Sequence, residues 1–96
     1  MEAAELAEAL KALAAPSRLK IMEHLQLRPF CVRALTVRLD ISQPAVSQHL
    51  AVLKRAGLVE ADRDGTMVHY RVNPERFAHV VKALGVVGRV NVPEAV

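Results

Sequence analysis

The segment DISQPAVSQHL, residues 40–50, decides how the rest of the chain is read. Val46 and Leu50, continued by Leu53 in the following AVLKRAG, recur at helical spacing and form one apolar stripe. Ser42 is a residue type that caps helices, Pro44 fits a first turn and Gly57 supplies an end, so a helix is expected between Ser42 and Gly57. At about 100° per residue, Pro44, Ser47, Gln48, Ala51, Lys54 and Arg55 fall opposite the stripe, with Gln43 and His49 at its borders. A face built from amides and hydroxyls, and not from Lys and Glu, asks what it is for.

Working outward, CVRALTVRLD (31–40) places Val32, Leu35 and Leu39 three and four residues apart, a short amphipathic helix ending at Asp40. Two short helices then meet across about three residues, the spacing of a helix-turn-helix. Downstream, LVEADRDGTMVHYRVN changes period: LVEA and TMVHYRV are strand-like, and Asp64-Gly65 is a turn pair, so a β-hairpin is expected. At the front, Leu6, Ala9, Leu10 and Leu13 mark a first helix stopped by Pro16. A second follows with Ser17 as its cap, Leu19, Met22 and Leu25 on one face, and Pro29 as its end. Asn73 and Pro74 open a last helix with Val80, Val81 and Leu84 on its apolar side, weakened at its far end by Gly85 and Gly88. The expected class is α+β, mainly α: one winged helix-turn-helix domain over residues 1–96, with about five helices and a two-stranded hairpin wing. Residues 1–15 and 74–88 are expected to be dimerisation helices, and 89–96 a mobile tail that frays.

Composition bounds the possibilities. A chain of 96 residues with 52% hydrophobic but only 3% aromatic residues and no Trp can build only a thin core of Ala, Val and Leu. Apolar surface is then left over for a second copy to cover. Thirteen basic against ten acidic residues give a net charge of +3, and the segment from Arg18 to Arg76 is basic, which permits an anionic partner. The single cysteine, Cys31, excludes an intrachain disulfide and a Cys-rich zinc module. No apolar run reaches the roughly 20 residues of a membrane span, and the acidic start MEAAELAEAL lacks a basic leader, so a cytoplasmic setting without membrane association is expected.

An α-helix fits the major groove, where amides pair with adenine edges and hydroxyls with several base groups. Gln43, Ser47 and Gln48 are therefore the candidate base readers, and Lys54, Arg55 and the wing's Arg63 the candidate phosphate ligands. Ser42, His49 and Thr66 complete the set of DNA-facing candidates. For an isolated helix, plain solvated polar residues would be the simpler reading; the preceding helix, the tight turn and a hairpin tipped by Arg63, Asp64 and Gly65 tilt the balance toward DNA. No enzymatic constellation competes: Ser17 and Lys20 match a Ser-x-x-Lys pattern without its companions, and there is no phosphate loop or nucleophile-base-acid set. A winged-helix module used for protein partnership, with weak or partner-dependent DNA contact, remains the alternative, and a metal-buffering protein a third.

ALAAPSRLKIMEHL together with CVRALTVRLDISQPAVSQHLAVLKRAGLVEADRDGTMVHYRV resembles the ArsR/SmtB family of small bacterial winged-helix repressors across roughly residues 9–72. The resemblance implies a homodimer built on the first and last helices that binds a double-stranded, inverted-repeat operator as a repressor. It leaves the inducer and the operator sequence open. Family members often bind thiophilic metals through Cys-Val-Cys at the start of the third helix; here the matching residues are Cys31-Val32-Arg33, with a fixed cation where the second thiolate would be. Another family site, between paired final helices, takes zinc, nickel or cobalt, and Glu75 and His79 are a candidate pair where the fuller pattern has two pairs per helix. No cofactor is therefore expected to be required, with zinc or nickel at Glu75 and His79 the residual metal candidate. His24 and His69 are expected to be structural or DNA-facing. Cys31 is expected to be a small, buried or half-buried side chain; as a redox candidate it lacks a resolving thiol within its own chain.

Overall fold

The computed structural model describes residues 1–88, and the expected tail over 89–96 lies outside the described residues. Along the chain come α1 (Ala3–Leu13), α2 (Pro16–Leu27), β1 (Phe30–Cys31), α3 (Val32–Leu39), α4 (Gln43–Arg55), β2 (Val59–Asp64), β3 (Met67–Val72) and α5 (Pro74–Val87). The five helices match the expectation. The sheet is larger than the expected two-stranded wing: β1 pairs antiparallel with β3, Phe30 opposite Tyr70 and Cys31 opposite His69, giving the order β1-β3-β2. Two residues between a proline and a helix carry no alternation to mark them as a strand, so in the sequence Cys31 reads as part of the third helix.

Leu6, Ala9, Ala12, Ile21, Met22, Leu25, Phe30, Leu35, Val46, Leu50, Leu53, Leu58, Val59 and Val80 form one buried cluster, with no buried polar side chain among them. Within α2 the expected face is off by one residue. Leu19 is 49% exposed. The inward stripe is Arg18, Ile21, Met22 and Leu25, at spacings i, i+3, i+4 and i+7. Ser17 is not the cap of this helix either; Ala15 holds that position without a side-chain hydrogen bond, Pro16 starts the first turn, and Ser17 lies inside it.

The connection that sets α3 against α4 is Asp40, Ile41 and Ser42. Asp40 adopts φ 54°, left-handed backbone that Asp tolerates better than most residues, and its N–H donates to the Thr36 carbonyl at 3.0 Å. The Ala45 N–H donates to Ser42 Oγ at 3.2 Å, the expected cap of α4. At the other end Leu58 N–H donates to the Leu53 carbonyl (3.0 Å) and Gly57 N–H to that of Lys54 (2.9 Å), with Gly57 at φ 78°. This is a Schellman ending, in which buried Leu58 anchors the exit into β2.

The hairpin closes one residue later than expected. Asp64 pairs with Met67, so the two-residue loop is Gly65-Thr66, with Gly65 at φ 64° in the first loop position where a tight hairpin requires it. Asn73 Oδ1 accepts from the Arg76 N–H at 3.1 Å and caps α5, as expected; the helix continues through Gly85. No helix among the described residues is long and apolar enough to cross a membrane.

Candidate nucleic-acid interface

The buried stripe of α4, Val46, Leu50 and Leu53, has no solvent access, which fixes the rotation of the helix on the core. The opposite face is correspondingly open. Gln43, Pro44, Ser47, Gln48, Ala51, Lys54 and Arg55 are all exposed, as is Ser42. The structure thus brings the expected base readers together at the start and middle of α4 and the two cations at its end. His49 differs from the others. It is half-buried, and its Nδ1 lies 3.2 Å from Arg18 Nη1 of α2.

Arg63 and Thr66 are exposed on the hairpin, Arg63 on β2 and Thr66 in the loop. The hairpin itself is not basic as a whole. Across 59–72, three acidic residues (Glu60, Asp62, Asp64) outnumber two basic ones (Arg63, Arg71). Strand alternation places Glu60, Asp62 and Asp64 on one face and Arg63 on the other. Arg71, across from them on β3, pairs with Glu60 and with Asp62, the latter through Nε at 2.6 Å. The Asp62 hydrogen bond pushes the Arg71 guanidinium further toward its charged form. Arg63 has no ion-pair partner among the described residues and is the hairpin's free cation.

Two arginines that matter to this face are not singled out by the sequence. Arg18 is one, and its signal is the i, i+3, i+4, i+7 stripe of α2. The other is Arg76, whose Nη1 lies 3.5 Å from Glu5 Oε2 and joins α5 to α1. Its Nε is buried without a hydrogen-bond partner, close to Gly57 at the end of α4. The first turn of α5 therefore rests against the end of α4. Glu5 accepts from the Glu2 N–H and from Arg76, and both hold its carboxyl below the usual carboxylate range.

The residues do not fit a metal site within one chain. Cys31 is a half-buried free thiol, and Arg33 is exposed beside it. Glu75 and His79 are both exposed, one turn apart on α5. Among the described residues no three His, Cys, Asp or Glu side chains gather as ligands. His24 meets Phe30 edge-on at 5.7 Å between ring centres, and Arg28 lies 3.9 Å over the same ring, so His24 has a packing role. His69 sits mid-sheet between Cys31 and Asp62.

A second surface is formed by α1 and α5. An open apolar cleft of about 670 Å³ separates α1 from α5, lined among others by Leu6, Leu10, His79, Ala83, Val86 and Val87. Val81 and Leu84 add exposed apolar area on α5 (54% and 44%).

Two short helices at a three-residue turn, the second with an open polar face and followed by a hairpin, define a winged helix-turn-helix DNA-binding domain. Residues 15–61, from the start of α2 into β2, match the model of the family described as bacterial regulatory protein, arsR family. The repressor SmtB of Mycobacterium tuberculosis is 46% identical over 74 residues, which are 77% of this chain and 55% of that protein. The biofilm growth-associated repressor of Agrobacterium fabrum is 40% identical over 82 residues, covering 85% and 70%. The solution structure of a homodimeric winged helix-turn-helix domain from Mycobacterium bovis, a possible ArsR-family regulator, superposes with a TM-score of 0.74 at 35% identity, covering 86% of this chain and 77% of that one. The chain belongs to the ArsR family of transcriptional regulators, which are not enzymes. It spans just over half the length of the SmtB relative.

Proposed function

We propose that this chain is a sequence-specific transcriptional repressor that acts in the cytoplasm as a homodimer on an inverted-repeat operator. The observation that carries this reading is the outer face of α4, where Gln43, Ser47 and Gln48 are exposed, uncharged and backed by a stripe with no solvent access. Set in the major groove, those side chains address base edges, while Lys54 and Arg55 at the helix end and Arg63 on the wing address phosphates. Ser42 and Thr66 sit at the start of α4 and at the wing loop, where the backbone of DNA passes in this docking mode. The exposed apolar surface of α1 and α5 supports the dimer, and the homodimeric M. bovis domain of the same fold supports it further. A two-fold dimer presents two copies of α4 in opposite senses, and an inverted repeat is its matching DNA.

Binding in this reading needs no metal. Arg33 occupies the place of a second thiolate, and Glu75 with His79 makes one ligand pair per chain. The test is a fluorescence anisotropy titration of chelator-treated protein against DNA from its own promoter region, with a scrambled duplex as control at the same salt. Preference for the promoter duplex by about a thousandfold is expected. Equal, weak affinity for both duplexes would assign the fold to a protein-interaction role instead.

A further inference from the structure

We propose that Arg18 is a positioning residue that presents His49 to DNA as a hydrogen-bond donor only, an inference that rests on the operator-binding reading above. Arg18 occupies the inward stripe of α2, where an apolar residue would be the ordinary choice. Its Nε donates to the Ala12 carbonyl at 2.6 Å and its Nη2 to that of Lys11 at 3.5 Å. Both carbonyls belong to the last turn of α1, where helical partners run out, although that of Lys11 also accepts from the Ala14 N–H at 3.2 Å. Two bonds into one helix end fix the plane of the guanidinium, and the third nitrogen, Nη1, then meets His49 Nδ1 at 3.2 Å.

The chemistry of that contact settles the tautomer. A guanidinium donates and never accepts, and it does not lose its proton in a protein. A hydrogen bond between Arg18 and Nδ1 therefore requires the lone pair on Nδ1. The neutral imidazole then carries its proton on Nε2. No protein group among the described residues accepts from Nε2, and among those residues Arg76 Nε is the one side-chain nitrogen or oxygen found buried without a partner. His49 Nε2–H is consequently open to solvent, on a helix where the neighbouring residue, Gln48, is one of the candidate base readers. Ser47 and Gln48, on the outer face, both donate and accept, so they tolerate several partners. His49 offers a single fixed N–H and selects an acceptor: a phosphate oxygen, or guanine O6 or N7 in the groove.

Two measurements decide it. In ¹⁵N-labelled free protein, the His49 ring should be protonated at Nε2, and a through-hydrogen-bond coupling should link Arg18 Nη to His49 Nδ1. An Nδ1-protonated ring or an absent coupling overturns the inference without any DNA present. Operator affinity is then measured for His49→Gln and His49→Asn, both of which leave Arg18 intact. Glutamine places an N–H near the position of Nε2, whereas asparagine places its polar atoms near that of Nδ1. His49→Gln should bind within about threefold of wild type, and His49→Asn should lose about tenfold, the scale of one lost DNA contact. The opposite order would mean that His49 serves only to hold Arg18, which overturns the proposal. Arg18→Leu should weaken operator binding about tenfold in wild type and by less than about twofold in His49→Ala; equal losses in both backgrounds would give Arg18 a purely structural part. Wild-type protein that fails to prefer operator over scrambled DNA contradicts the operator reading itself, and the ring spectra keep that failure separate from this one.

Discussion

The outer face of α4 and the outer face formed by α1 and α5 are both exposed, and they are chemically opposite. One carries Gln43, Ser47 and Gln48 with Lys54 and Arg55; the other carries Leu10, Val81, Leu84, Val86 and Val87. A thin core explains why both can exist in so short a chain. Fourteen buried side chains among the described residues satisfy one side of every helix, and the remaining sides are free to be specialised. A polar face lined with donors and acceptors gains from meeting a patterned polar surface, such as the edges of base pairs. An apolar face of comparable openness gains from meeting a copy of itself. Exposure alone therefore says little about function; the chemistry of the exposed atoms separates a reading surface from an assembly surface.

The two faces can be broken independently. The largest effect should come from Leu84→Glu, since Leu84 is 44% exposed and contributes no buried side chain to the protein's own core. Sedimentation should then show monomers, and operator affinity should fall by at least about a hundredfold because two half-sites are no longer held together. Leu10→Glu should also give monomers but with lost stability, since Leu10 packs against the core. Retention of a dimer in Leu84→Glu would move the assembly surface elsewhere.

On the other face, Gln48→Ala and Ser47→Ala should each cost about 1–3 kcal/mol of operator binding and leave binding to random duplex nearly unchanged. The dimer should be unaffected. Equal losses on both DNAs would turn these residues from base readers into backbone contacts.

A finer test lies within the wing. Arg63→Ala should reduce the slope of log affinity against log salt by about 0.9, one phosphate contact. Arg71→Ala should leave the slope unchanged, because Glu60 and Asp62 already neutralise Arg71. A reversal would mean that the acidic face of the hairpin opens on DNA.

The smallest effect joins the faces. Glu5, held below the usual carboxylate range by the Glu2 N–H and by Arg76, contributes stability when ionised. That contribution is present above the ordinary carboxylate pKa of about 4.3 and is lost as pH falls through the lowered folded value. Glu5→Gln should thus melt slightly below wild type at neutral pH, and the two curves should converge in acid. A constant gap at every pH would leave the Glu5–Arg76 contact without a role in stability.

α4 is legible in the sequence because several local signals agree. Ser42 caps it, Val46, Leu50 and Leu53 set its rotation, and Gly57 ends it with left-handed backbone. Asn73 and Pro74 announce α5 in the same way. What escapes are features that depend on partners distant in the chain. β1 is two residues long and exists through Tyr70 and His69, about forty positions away. The wing looks basic from its tip because Arg63 leads it, but strand register aligns Glu60, Asp62 and Asp64 on one side and pairs Arg71 with two of them. Arg18 escapes because a charged residue on an inward stripe reads as surface until the end of α1 is seen to supply its acceptors.

Selection from a pool of random-sequence duplexes by the chelator-treated wild-type protein tests the division of labour between the faces most directly, since the operator sequence is its output and not its input. If α4 reads bases and α1 with α5 holds two copies together, selection enriches an inverted repeat whose half-site centres lie about one helical turn, roughly 10 base pairs, or a small multiple of it apart. A pool that stays random, or that yields a single site without a repeat, would contradict it.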